Sequence, residues 1–365
     1  MDPESWKSEP RGLYFSLRRY NSPVALLLDR HGRPLRSLRL SVTDRCNFRC
    51  SYCMPEEEYR WLPREDILTL EEMGRLARVF AEVGVQRIRF TGGEPLLRRD
   101  LPELVRMVAA VPGIRDVALT TNGMLLAGLA QQLRAAGLQR LNISLDTLHP
   151  QRFQELTRRD ALPQVLEGIA AAHEAGFRGT KIDTVLMRGQ NDDEILDLLA
   201  FARGHDLKLR FIEYMDVGGA TQWSSSQVFD RRAILDLVAE HFGGVEELEP
   251  LDPSAPARIY RLPDSLEFGI IASTTTPFCG ECDRSRIAAD GTWYSCLYAH
   301  HGTNLREALR DGRSDGALVG EIRGLWSARA DRGAEERLAQ TQRGPMVDLD
   351  DLLADPRLEM HTRGG

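Results

Sequence analysis

Cys46, Cys50 and Cys53 place three thiols within eight residues, directly after the apolar run Leu38-Arg39-Leu40-Ser41-Val42. Thiolates are soft ligands, and three on one loop can hold three corners of an iron–sulfur cube while the fourth iron stays without a protein ligand. A four-cysteine site closes a metal off. An open position admits another molecule, so the spacing points to catalysis. The alternatives are a zinc knot, which wants a fourth ligand close by, and a disulfide framework, which suits small secreted chains. The other three of the six cysteines form a second trio, Cys279, Cys282 and Cys296. It too can leave an iron open, although a structural zinc completed by His300 or His301 competes on spacing alone. Two groups of three free thiols fit a reducing compartment.

Composition narrows the class. A chain of 365 residues, 42% hydrophobic and 28% charged, has the make-up of an ordinary globular protein with one large core or two modest ones. The net charge of −7 argues against non-specific nucleic-acid binding. Val24-Ala25-Leu26-Leu27-Leu28 is far too short an apolar run for a membrane span or a signal-peptide core. A cytoplasmic chain with neither membrane nor nucleic-acid partner is therefore expected.

The elements that must position the cysteines follow from periodicity. Strand-like runs at 38–42, 87–91, 117–121, 140–145, 181–186 and 208–214 alternate with helix-like stretches at 70–82, 101–110, 125–136, 162–175 and 193–203. Parallel neighbours need crossovers of one hand, so six such units imply an α/β fold, barrel-like or doubly wound, and the clusters that follow, with fewer than eight units, favour a partial six-unit βα barrel. Polar clusters follow the strands: the cysteine loop, Gly92-Gly93-Glu94, Thr120-Thr121-Asn122-Gly123, Ser144 to Asp146 and Glu213 to Asp216. Clusters at the carboxyl ends of successive strands suit a site on the top face of a barrel. The expected division is a lead-in over 1–22, the barrel over 23–215, and a C-terminal domain over 216–365 that closes the open side. In that last part, 231–242 and 317–338 have helical spacing, and 258–261 with 268–272 suggest a hairpin.

In Thr91-Gly92-Gly93-Glu94-Pro95, paired glycines at a strand end let backbone approach a ligand closely, and Glu94 could accept from an amine. With C-x3-C-x2-C and Tyr52 beside the last cysteine, the chain resembles the radical S-adenosylmethionine (SAM) superfamily. That resemblance implies a [4Fe–4S] cluster on Cys46, Cys50 and Cys53, with SAM on the open iron and Tyr52, Gly93, Glu94, Ser144 and Met215 around it. One-electron cleavage of SAM would give a 5′-deoxyadenosyl radical.

Residues 38–46, 210–218 and 278–297, with the Gly364-Gly365 terminus, resemble the GTP 3′,8-cyclase family of molybdenum cofactor biosynthesis. The resemblance runs from about Gly32 to Gly365. It implies a lyase with a second [4Fe–4S] cluster on Cys279, Cys282 and Cys296, whose open iron takes the guanine of GTP. Arg39, Arg89, Thr120, Lys181, Arg284 and Arg286 match the GTP contacts, and Gly364 and Gly365 match a catalytic tail. The adenosyl radical would take hydrogen from ribose C3′, and the resulting radical would attack purine C8. An external electron donor, a downstream cyclic pyranopterin monophosphate synthase that takes the product, and a homodimer are implied as partners. Guanidinium groups suit a triphosphate because each can hold phosphate oxygens bidentately. On spacing alone, however, Arg39 and Arg89 could equally point toward the helices.

Three positions depart from the family. Arg363 replaces an apolar residue, so tail docking is expected to be weaker or differently paired. Asp283 stands where a neutral residue is usual and could repel phosphate or orient Arg284; Ser285 stands where an apolar one is common. Rival readings are a radical SAM peptide-modifying enzyme with an auxiliary cluster, and a non-catalytic binding homologue. The first tends to carry more C-terminal cysteines and lacks the Arg284/Arg286 pair; the second would show broken motifs.

Overall fold

The computed structural model of the protein describes residues 26–364. The lead-in expected over 1–22 and the terminal Gly365 lie outside the described residues. Six strands, β1 (Ser37–Ser41), β2 (Arg87–Thr91), β3 (Asp116–Thr121), β4 (Arg140–Ser144), β5 (Lys181–Leu186) and β6 (Lys208–Glu213), pair in parallel in chain order. Alternation sorts their side chains between two faces. Leu38, Leu40, Ile88, Phe90, Leu119, Ile143 and Phe211 join one continuous core under the helices. Arg39, Arg89, Thr120, Ser144, Lys181 and Arg210 line a cavity on the other face.

The crossover helices form for local reasons. Helix Leu70–Glu82 starts at a reciprocal capping box between Thr69 and Glu72 and buries Met73, Leu76, Ala77, Val79 and Phe80 along one stripe. It stops where Gly84 takes a φ of +113°, which L side chains rarely adopt. Each buried Leu or Phe contributes about 1.5–3 kcal/mol, so the stripe rather than the cap holds the helix on the sheet.

The C-terminal residues extend the same sheet at both edges. On the β6 side are β7 (Glu246–Leu248), β8 (Arg258–Arg261) and β9 (Glu267–Ile271); on the β1 side are β10 (Arg284–Ile287), β11 (Thr292–Tyr294) and β12 (Thr303–Asn304). β8 and β9 form the expected antiparallel hairpin, and β9 joins β6 in parallel. β10 joins β1 in parallel at the opposite edge. The sheet is thus open, its order running β12-β11-β10-β1-β2-β3-β4-β5-β6-β9-β8-β7. Residues 272–283 connect the two edges, and twelve residues reach at most roughly 40 Å, so the sheet must curl to bring its edges together. That connection carries Cys279 and Cys282.

Some elements differ from the periodicity. The helix expected over 125–136 is confined to Ala130–Ala135, because Gly123 (φ +79°) and the Asn122 side chain, which accepts from Met124 N, hold the preceding residues in a turn. A helix at Pro150–Thr157 begins at a proline. The stretch 317–338 divides into Asp315–Ala328 and Gly333–Leu338, separated by a turn that buries Arg329. Among the described residues, no helix is long and apolar enough to cross a membrane.

Phe90 is fully buried in β2 at the centre of the core. Phe90→Ala is expected to cost about 3–5 kcal/mol, read as a lower urea midpoint at unchanged m value.

Candidate active site

The first cysteine loop is fixed from three sides. Helix Pro150–Thr157 ends with unpaired carbonyls, and two of them accept from the loop: Arg49 N to Thr157 O and Ser51 N to Leu156 O, both 2.9 Å. The Gly92–Gly93 turn clamps the chain ahead of Cys46, with Gly93 N donating to Thr43 O at 2.9 Å and Glu94 N to Arg45 O at 2.7 Å. A Cβ on Gly92 would overlap Thr43 O, and one on Gly93 would overlap Arg45 O, so only glycine permits this approach. Glu94 is 1% exposed and accepts from Leu96 N, Thr121 Oγ1 and Asn122 N at 2.7–2.9 Å. Its carboxylate is largely a strut of the turn, with little capacity left for an amine, and burial raises its pKa to about 7. Tyr52 donates to Asp146 at 2.8 Å, and burial lifts Asp146 to about 6.

All three thiols are free. Burial, with Glu94 second, lifts Cys46 to about 11; burial also raises Cys50 and Cys53, aided by Asp146 and Cys46 respectively. Metal loading must therefore release protons here.

Below the loop the barrel wall is cationic. Parallel pairing sets Arg39 beside Arg286 on β10 and beside Arg89 on β2, three guanidiniums abreast. Burial and then mutual repulsion hold Arg39 well below its ordinary range, and bring Arg89 to about 9 and Lys181 to about 7. Arg89 donates to Thr120 Oγ1 at 3.2 Å. Arg210 is paired bidentately with Asp183 at 2.5–2.6 Å, and Asn142 donates to the same carboxylate at 2.9 Å. With Ser144, Met215 and Arg284 also on its wall, the cavity has a volume of about 940 Å³. That lies at the upper end of the roughly 300–1,000 Å³ range of small-molecule sites, enough for a cofactor and a substrate together.

The second trio lies on the connection between the sheet edges and the turn after β11. Burial opposes ionisation of Cys282, yet Arg284 and Arg329 bring its thiol to about 7; burial and Asp331 lift Cys296 to about 11. Arg284 stacks over Phe278 at 4.5 Å and donates to Cys282 Sγ at 3.7 Å, while its buried Nε has no partner. His300 and His301, the candidate fourth ligands of a zinc site, are both exposed. Among the described residues, no three Cys, His, Asp or Glu side chains converge as a single ion would require.

The chain returns to the site at its end. Gly364 (φ +74°) sits where a Cβ would overlap Thr91 Oγ1, and its carbonyl accepts from Arg286 at 2.6 Å. Arg363 does not loosen this tail. It is 2% exposed, donates to the carbonyls of Arg357, Leu297 and Ala299 at 2.7–3.1 Å, and lies 4.5 Å over the Tyr294 ring. Its pairing is different rather than weak. Asp283, the second departure, pairs with Arg87, which also holds Asp252, so its charge is neutralised away from Arg284. Ser285 is buried, its hydroxyl without a partner.

Periodicity could have singled out further lining residues. Arg87 precedes Arg89 by two, and Asp183 follows Lys181 by two, so each shares a strand face with a residue already chosen. His361, buried with both ring nitrogens unpartnered and packed against Tyr59 and Trp61 at 5.5 Å, had no sequence signal.

Two expectations follow. Gly93→Ala should displace the Thr43–Cys46 backbone and lose iron from the first trio, measured as iron and sulfide content, with the far-UV spectrum retained. A bound polyanion should raise Lys181 from about 7, so nucleoside triphosphate binding takes up protons above about pH 7 and ceases to do so below about pH 6. Calorimetry in buffers of different ionisation enthalpy reads the uptake, and Lys181→Met should remove the part seen between about pH 7 and 8, leaving that of Arg89 at higher pH.

The Radical SAM superfamily profile matches residues 40–202, and the Molybdenum Cofactor Synthesis C profile matches 207–335. The chain is 53% identical over 348 residues to GTP 3′,8-cyclase 1 of Mycobacterium tuberculosis, covering 94% of this chain and 97% of that one. It is 42% identical over 328 residues to GTP 3′,8-cyclase of Staphylococcus aureus, covering 87% and 95%. Among solved structures, Streptococcus suis SuiB bound to S-adenosylmethionine matches with a TM-score of 0.57 at 18% identity, over 80% of this chain and 69% of that one, a likeness of fold alone. The chain therefore belongs to the radical SAM superfamily and, within it, to the GTP 3′,8-cyclase family.

Proposed function

We infer that this chain is a radical SAM GTP 3′,8-cyclase, converting GTP to (8S)-3′,8-cyclo-7,8-dihydroguanosine 5′-triphosphate in the first step of molybdenum cofactor biosynthesis. The observation that carries the reading is the row Arg286–Arg39–Arg89, abreast on three parallel strands, of which Arg39 and Arg89 line a cavity that also reaches Arg284 and the first cysteine loop.

Three free thiols on a loop held by backbone hydrogen bonds fit a [4Fe–4S] cluster with an open iron, and the glycine turn, packed against Thr43 and Arg45, fixes that loop beside the cavity where SAM would bind. When bound, the cluster and SAM supply radical initiation, which no protein side chain can provide. Tyr52, Gly93, Ser144 and Met215 would border the SAM, with Glu94 holding the turn. The second trio, with exposed histidines nearby and an arginine on Cys282, fits a second open [4Fe–4S] cluster that would take the guanine.

The chain's own residues bind and orient. Arg39, Arg89, Lys181 and Arg284, half-buried, and the buried Arg286 offer cations that lack enough carboxylate partners, and a triphosphate supplies that charge. Thr120 would add a hydrogen bond. Met360 to Gly364 cover the site, which excludes water from the radical's path, and Arg286 ties that cover to the sheet through the Gly364 carbonyl. An external donor supplies the electron. The cyclised product passes to a cyclic pyranopterin monophosphate synthase, and the family's habit implies a homodimer.

The test is anaerobic reconstitution with reductant, SAM and GTP, and detection of cyclised GTP together with 5′-deoxyadenosine. Deoxyadenosine without GTP consumption would sink the cyclase reading and spare the radical one. Iron should approach roughly eight per chain; about four, with added zinc taken up, would remove the second cluster. Arg284→Ala should weaken GTP binding about 10- to 100-fold while uncoupled SAM cleavage continues.

A further inference from the structure

Behind the second trio lies a buried ion network that substrate binding does not use. Asp29, Arg33 and Arg329 are 7%, 2% and 5% exposed. Arg33 pairs with Asp29 at 2.6 Å, and Arg329 pairs with Asp331 at 3.0 Å and approaches Asp29 at 3.6 Å. The network reaches two of the three cysteines and the neighbour of the third. Arg33 Nη1 donates to Cys279 O at 2.9 Å, and Arg329 Nη1 donates to Cys282 O at 3.1 Å. Asp331 accepts from Ser295 Oγ, one residue before Cys296, at 2.8 Å. Arg329 is also stacked 4.5 Å over Trp326, a fully buried side chain whose Nε1 donates to Arg33 O at 3.1 Å. The guanidiniums face the cysteines in this arrangement, and Asp29 sits behind them.

The first trio is held differently. Its loop is fastened by neutral peptide hydrogen bonds to Leu156 and Thr157. The charged groups facing its thiols are mainly the carboxylates of Glu94, Asp146 and Glu359, opposed by Arg49 at Cys46. At the second trio, Arg284 and Arg329 converge on Cys282, against Asp331 at Cys296 and Glu335 at Cys279.

Resting on the second-cluster reading above, we propose that Arg329 raises the reduction potential of the cluster on Cys279, Cys282 and Cys296, with Asp331 as its opposing charge. The physical reason is electrostatic. One-electron reduction adds a negative charge to the cluster–thiolate unit without breaking a bond, and a buried guanidinium donating to a ligand's backbone stabilises that charge in a low-dielectric setting. Arg329 is a positioning residue that acts through Cys282, and it leaves the GTP contacts alone. The reduced state of the second cluster is thereby favoured over what the same cluster would show without that guanidinium.

The experiment is an EPR-monitored potentiometric titration of the reconstituted full chain, with dithionite as electron source. The second cluster's signal is identified in a Cys46→Ala/Cys50→Ala/Cys53→Ala variant. In Arg329→Gln, the ratio of reduced to oxidised second cluster at fixed potential should fall about tenfold, a shift of about 59 mV for one electron. Arg329→Lys should recover most of it. Asp331→Asn should shift the same midpoint upward, and the first cluster should stay put in every variant. With both clusters loaded, an unchanged second midpoint, or equal shifts of both, overturns the proposal. If Arg329→Gln sheds its cluster, Asp331→Asn alone decides, and a lowered or unchanged midpoint refutes the charge assignment. A wild-type chain that binds only about four irons would instead refute the second cluster itself.

Discussion

The parallel ladder between β10 and β1 is the constraint on which the site depends. Pairing Arg39 with Arg286 in register sets residues nearly 250 positions apart side by side and fixes where the second cysteine trio must lie. β9 is tied to β6 at the other edge, so residues 272–283 have to run between the two edges. Cys279 and Cys282 ride on that connection. The C-terminal part therefore does more than cover the barrel: it extends both edges of one sheet.

The interior of that sheet concentrates positive charge with too few carboxylates to match it. Asp183 is already engaged by Arg210 and Asn142, and Asp283 and Asp252 by Arg87. Arg39, Arg89 and Lys181 are left to repel one another on a half-buried, poorly solvated wall, which is unfavourable until an anion arrives. Such a wall resists collapse and favours a polyanion over neutral ligands, and it draws part of its binding strength from relief of that repulsion.

Charge is distributed differently around the two cysteine trios. Around the first, burial and carboxylates oppose thiolate formation; beside Cys282, arginines favour it. The tail connects the two regions, because Gly364 rests against Thr91 at the end of β2 and is held by Arg286 of β10. Arg363 belongs to this arrangement. A guanidinium with three backbone carbonyls and an aromatic face serves as an anchor where an apolar residue would have only packing.

Much of this was legible in the sequence because it is local. The C-x3-C-x2-C spacing, the Gly92–Gly93 turn and the period-2 runs of β1 to β6 depend on residues within a few positions of one another. Those residues determine a cluster loop at the end of a parallel strand. Short elements were not legible: β10 and β11 are four and three residues long, too few for a period to register. Which face Arg39 and Arg89 occupy was equally undetermined, since alternation specifies two faces but not which one is inside. Tertiary structure decided that, by packing Leu38, Leu40, Ile88 and Phe90 under the helices and leaving the arginines to the cavity. It also decided that Arg363 anchors the tail and that Asp29, Arg33, Arg329 and Asp331 form one network, because such partners meet through chain crossings between segments distant in sequence.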